Sequence, residues 1–273
     1  MVNAQTLPLE TTFRGTKKFE QIVAKAKKEN WQNLAIGERT AVIGKELLET
    51  PYKSYTLEIH DHIEAPSANF YGLDCWTFFE ISLGMARMLE KNKETYSPPD
   101  LLEEIEYTRY RDGKCYGNYL DRIHYLAEWY VDNHKRGNII DITKDLGGTR
   151  FKKECREMTV LWKGYRYLRK NPELRAPMKK HEERISSLPM YHIPKNKVGA
   201  IESQLQDGDI IGIATNPIGS FCSHVGLAYR DSKGVLRLMH ASSDFKKVLI
   251  DVRLKDYLYR YKKHAGVIVG RPK

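Results

Sequence analysis

A chain of 273 residues, 41% hydrophobic and 11% aromatic, is long enough to bury a substantial core and too apolar to be disordered. Its net charge of +10 admits an anionic partner, whereas its four scattered cysteines (Cys75, Cys115, Cys155 and Cys222) exclude a disulfide-built scaffold. No stretch reaches the roughly 18 consecutive apolar residues of a membrane-spanning helix.

Residues 1–16, with Pro8, the consecutive threonines Thr11 and Thr12, and Gly15, read as an irregular lead-in. Val2, Asn3 and Ala4 are the small residues expected at the tail of a cleaved secretory signal, a hint of export. Residues 17–31 place Phe19, Ile22, Val23 and Ala26 on one face and lysines on the other, which predicts an amphipathic helix. A second helix is expected over 38–49, stopped by Pro51.

The stretch 50–80 follows, centred on Asp74, Cys75, Trp76 and Thr77. Apolar side chains recur after Cys75 at Phe78, Phe79, Leu83, Ala86, Met88 and Leu89, at the spacing of a helix buried on most sides. Cys75 then falls in its first turn, with Asp74 as N-cap. There the backbone N–H groups and the helix dipole are expected to stabilise a thiolate and lower its pKa, which suits a nucleophile. The competing reading is a small buried thiol that opens a core helix.

Residues 95–195 read as a mainly helical insertion within a single catalytic domain that spans 1–273. Ser97, Pro98, Pro99 and Asp100 start a new helix, residues 110–113 turn, and further helices are expected over 119–133, 151–168 and 172–185. Residues 150–184 carry twelve Lys or Arg against five Glu but neither paired zinc ligands nor a helix-turn-helix pattern. They are read as a solvated basic face, and nucleic acid is not expected as a partner.

From Val198 the pattern changes to short β-rich runs at 209–214, 224–229, 235–240, 248–252 and 266–269, separated by turn residues. Their connections are too short for helical crossovers, which predicts an antiparallel sheet, with one short helix over 253–261. His224 starts one of these strands and His240 ends the next, so both imidazoles can meet at one sheet edge. A cysteine hydrolase needs such a pair: one ring takes the thiol proton and the other orients it. A zinc site built from Cys75, Cys222, His224 and His240 is a rival reading.

Residues 47–52 (LLETPY), 73–78 (LDCWTF), 208–210 (GDI), 223–227 (SHVGL) and 240–243 (HASS) occur in the order of the motifs of NlpC-type, papain-like cysteine peptidases of bacterial cell walls, which the chain resembles. With the inserted residues 110–113 (YRDG) and 124–129 (HYLAEW), it is similar to the N-acetylmuramoyl-L-alanine amidase-like branch. Trp76 and Thr77 depart from the usual small residues after the cysteine, and His224 lies farther from Cys75 than in minimal members.

The resemblance implies an α+β, papain-like fold, with the nucleophile helix packed on an antiparallel sheet and the insertion walling the cleft. It also implies a cell-wall amidase acting through a cysteine thioester, with Cys75 as nucleophile, His224 as base and His240 as orienter. The expected substrate is a muropeptide, a peptidoglycan fragment, handled without metal or cofactor in the periplasm or outside the cell. Tyr71, Tyr110, Arg111, Arg122 and Tyr125 are candidate substrate-binding residues, since arginine pairs with carboxylates and aromatic faces stack on sugars. Alternatives are an endopeptidase cutting after D-glutamate and an inactive wall-binding module. The oligomeric state stays open.

Overall fold

A computed structural model describes residues 7–216 and 218–273; Val2, Asn3 and Ala4 lie outside the described residues. The first half of the chain is helical. Helices α1 (Thr16–Lys28), α2 (Ile36–Glu46), α3 (Cys75–Glu90), α4 (Pro98–Arg109) and α5 (Leu126–Lys135) follow one another. The lead-in is more ordered than expected, because Phe13–Arg14 pairs in parallel with Ala68–Asn69.

Next come strand β1 (Ile139–Asp141), strand β2 (Thr149–Arg150), helix α6 (Arg175–Ser186) and strand β3 (Tyr191–Pro194). The C-terminal part supplies β4 (Ile210–Thr215), β5 (Cys222–Arg230), β6 (Leu236–Ser242), β7 (Lys247–Arg253), the short helix α7 (Leu254–Tyr259) and β8 (His264–Pro272). The sheet runs β2-β3-β8-β4-β5-β6-β7, with β1 also paired to β8, and every pairing in it is antiparallel. The protein is thus an α+β chain with an antiparallel sheet.

Both faces of the sheet are covered, which explains why β4 and β8 read as nearly continuous apolar runs. Ile268 faces the larger core with Phe78 and Phe79 of α3, while its neighbours Val267 and Val269 face a second core with Leu254 and Leu258 of α7. Helix α3 packs on β5 and β6, flanked by α2 and α4. Gly44 of α2 permits the close approach, since a Cβ there would lie 2.8 Å from the Met239 side chain and 3.3 Å from Phe78.

Two helical expectations give way to irregular backbone. The stretch 119–133 opens with a 3₁₀ turn and an extended Arg122 paired with Tyr110, so α5 starts only at Leu126. The stretch 151–168 is extended through Glu154, where Phe151 bonds to Met190 and Gly219 to Glu154, and then forms only short helical turns. Residues 95–195 also supply β1, β2 and β3 to the sheet. Among the described residues no helix is long and apolar enough to cross a membrane.

Candidate active site

Cys75 is the first residue of α3. The helix begins there because Asp74 and Thr77 form a reciprocal cap: Asp74 Oδ1 accepts from the Thr77 N–H at 2.8 Å, and Thr77 Oγ1 accepts from the Asp74 N–H at 3.0 Å. Residues 51–53 hold the entering chain, with the Leu73 N–H bonded to Pro51 O and the Lys53 N–H to Leu73 O. The half-buried thiol faces a cleft of about 720 Å³ that is also lined by His224.

His224 lies near the start of β5 and His240 within β6. His224 Nε2 and His240 Nδ1 are 2.7 Å apart. Gly226 makes room for this pair, since a Cβ there would come within 2.9 Å of the His240 Cβ. On the next strand Asp251 continues the line, its Oδ2 3.3 Å from His240 Nε2 and 2.7 Å from Arg260 Nη1. Three adjacent antiparallel strands thereby present His224, His240 and Asp251 in a row.

The electrostatics differ from the expectation for a helix-end thiol. Burial and then the Asp74 carboxylate push the Cys75 thiol up to about 12, although N–H groups of Val225, Cys75 and Trp76 act in the opposite direction. The helix dipole is outweighed by desolvation and by the cap that starts the helix. Burial, followed by the neighbouring His240, His264 and Lys263, lowers His224 well below its ordinary range. The resting pair is therefore a neutral thiol beside a neutral imidazole. Alkylation of Cys75 by iodoacetamide should rise with pH through neutrality into the alkaline range; a rate already at its plateau below about pH 7 would restore the stabilised thiolate.

The five candidate binding residues separate. Arg122 and Tyr125 line the cleft, each only 4% exposed. Arg122 pairs with Glu64 at 3.3 Å and lies over the Tyr119 ring, while the Tyr125 hydroxyl donates to Glu182 at 2.6 Å. Tyr110 cannot reach a ligand, because it is fully buried with its hydroxyl donating to Glu64 at 2.7 Å. Arg111 is held by both carboxylate oxygens of Glu128, at 2.5 and 3.0 Å, away from the cleft lining. Tyr71 is 65% exposed outside that lining.

Sequence reasoning missed Asp251, whose signal is a carboxylate inside the apolar run 248–252, and several cleft residues. Tyr52 lines the cleft beside Cys75 and keeps its proton, its phenol being raised to about 12 by burial and then by Cys75 and Asp74. Glu58 accepts from Tyr119 at 2.7 Å and Glu157 from Tyr165 at 3.0 Å, so phenols hold these two of the cleft carboxylates. Among the described residues no three His, Cys, Asp or Glu side chains converge in a way that could hold a metal ion.

No curated protein matches the chain. Among solved structures, an N-acetylmuramoyl-L-alanine amidase from Bacteroides uniformis is 32% identical, with a TM-score of 0.79 over 87% of this chain and 99% of that one. A Bacteroides fragilis protein that carries a xylanase name is also 32% identical, with a TM-score of 0.77 over 85% and 99%. A Legionella pneumophila protein at 19% identity and a TM-score of 0.66, over 94% and 97%, shares the fold. The AmiA-like family model, described as N-acetylmuramoyl-L-alanine amidase-like, matches residues 42–267. With a capped cysteine and one histidine of a hydrogen-bonded pair on one cleft, and with that match over most of its length, the chain belongs to the AmiA-like, N-acetylmuramoyl-L-alanine amidase-like family.

Proposed function

We propose that the protein is a cysteine-dependent amidase of the NlpC-type, papain-like kind that cleaves the amide between N-acetylmuramic acid and L-alanine in soluble peptidoglycan fragments. The observation that carries this reading is the juxtaposition at the cleft: the Cys75 sulfur faces the N–H of Val225, the residue after His224, and His224 is hydrogen-bonded to His240. The site of action would be the periplasm or the cell exterior, where the polymer lies.

In the proposed reaction His224 takes the Cys75 proton as the sulfur attacks the lactyl carbonyl, giving a tetrahedral oxyanion beside the Cys75 N–H. Tyr52, protonated and lining the same cleft, is a candidate second donor. The C–N bond then breaks, and the imidazolium returns its proton to the L-alanine amine. The remaining thioester is hydrolysed when His224 takes a proton from water, which attacks the carbonyl; the proton then goes to the departing thiolate. No step calls on a metal or cofactor.

The cleft volume of about 720 Å³ lies within the range of small-ligand sites and suits a disaccharide or monosaccharide peptide better than a polymer strand. Mass spectrometry after incubation with defined muropeptides should detect the intact stem peptide with a free L-alanine amino terminus, and little product from insoluble sacculi. Products retaining L-alanine and D-glutamate on the sugar would replace the amidase with the endopeptidase. Cleavage of xylan that survives alkylation of Cys75 would instead move the chemistry to Glu58 and Glu157, since glycosidases work with paired carboxylates.

A further inference from the structure

We propose that Asp251 is a positioning residue that, through His240, fixes which ring nitrogen of His224 faces the nucleophile. The inference deepens the reading above, resting on Cys75 and His224 as nucleophile and base.

The argument follows the protons outward from the carboxylate. Asp251 is buried, and both of its oxygens face donors: Oδ1 accepts from the Val252 N–H at 2.6 Å, and Oδ2 from Arg260 Nη1 at 2.7 Å. Burial works against its charge, but the hydrogen bonds from His240, Arg260 and Val252 outweigh it and hold the carboxyl far below the ordinary range. Asp251 is therefore ionised at any working pH and can only accept.

It follows that the proton of neutral His240 sits on Nε2, which faces Asp251 Oδ2 at 3.3 Å. His240 Nδ1 is left as an acceptor. Because His224 Nε2 lies 2.7 Å from that atom, His224 must carry its proton on Nε2, leaving Nδ1 bare for the thiol. One buried charge thus sets two tautomers in series. With a neutral group in its place the opposite chain of donors becomes available, and in it His224 Nδ1 carries the proton and cannot act as a base.

Two further features fit this role. Tyr257 packs against both rings, 6.2 Å from His224 and 5.2 Å from His240 between centroids, so neither imidazole is free to turn. Behind the pair is a polar cavity of about 120 Å³ bounded in part by His224, His240 and Asp251. It is large enough for water, which donates or accepts equally well and would not enforce either tautomer. The titratable and charged groups facing the two histidines are Asp251, Tyr257, Lys263 and His264, with Arg260 behind Asp251, Asp244 and Tyr261 on the same small cavity, and Cys75 on the cleft that His224 also lines.

The test combines a spectrum with kinetics. Nitrogen-15 histidine NMR of the intact protein should show His224 protonated at Nε2 and bare at Nδ1, and Asp251→Ala should give a mixture. Because it needs no substrate, this readout stands even if muropeptides are not cleaved. In muropeptide hydrolysis Asp251→Ala should lower kcat roughly 10²-fold, less than the loss of about 10⁴ known when a directly bonded triad aspartate becomes asparagine, with KM changed less than about threefold. The acidic limb of kcat/KM should move to lower pH, because Asp251 supports the protonated form of His224. Asp251→Asn, whose amide can donate to His240 Nε2 and so favour the opposite chain, should shift that limb with a loss of kcat at least as large, and it serves as the test should the alanine variant fail to fold. A parent spectrum with the His224 proton on Nδ1, or folded variants whose acidic limb does not move, would overturn the proposal.

Discussion

Replacing Cys75 with alanine should leave a folded protein that releases stem peptide at no more than about 10⁻⁴ of the parent rate, the scale of loss when a nucleophile that works as part of a unit is removed. The fold should survive because the thiol is half-buried at the cleft and the cap depends on Asp74 and Thr77, neither of which changes. Its cost in stability should stay below about 1 kcal/mol, as for substitutions that open no core cavity. Single-turnover assays on a soluble muropeptide, read beside a thermal melt, separate the two effects. Activity within tenfold of the parent with an unchanged melt would remove Cys75 from the mechanism. The high resting pKa sharpens the test, because neither thiol nor imidazole holds the charge before substrate arrives. His224→Ala should then also be severely impaired, with no preformed thiolate to compensate.

The features legible in the sequence were those set by local chemistry. The start of α3 is written in Asp74 and Thr77 and its burial in the apolar spacing after Cys75, and the strand pattern with its short turns places the two histidines side by side. Features set by distant partners were not legible. Tyr110 and Arg111 flank an Asp-Gly turn and read as cleft residues, yet Glu64 and Glu128 come from elsewhere in the chain to bind them inside the protein. The thiol illustrates the same limit: a helix end predicts a lowered pKa, whereas desolvation beside the cap carboxylate raises it. Residues 151–168 have the composition of a helix, but bonds to Met190 and Gly219 hold the segment's first part extended.

The largest stability effect is expected at a buried ion pair between the helix that starts at Cys75 and its neighbour α4. Glu80 of α3 and Arg109 of α4 are both fully buried, with Arg109 Nε donating to Glu80 Oε2 at 2.7 Å and Nη1 to the Ser67 carbonyl at 3.1 Å. Arg109→Met should destabilise the protein by about 3–5 kcal/mol, because a charge stripped of its partner stays behind in the core. Burial already raises the Glu80 carboxyl despite the opposing pull of Arg109, so losing the arginine raises it further. In the variant the folded state then holds a proton that the unfolded chain has released, from the unfolded value of about 4.3 up to the raised folded one. Stability in that window falls as pH rises, so the deficit relative to the parent should be smaller at pH 5 than at pH 8. Adding Glu80→Leu removes the stranded charge and should recover much of the loss, which denaturant unfolding of both single variants and the double would measure. An Arg109→Met protein within 1 kcal/mol of the parent at pH 8, or a double variant no better than the single, would show that this pair does not hold α3 to α4.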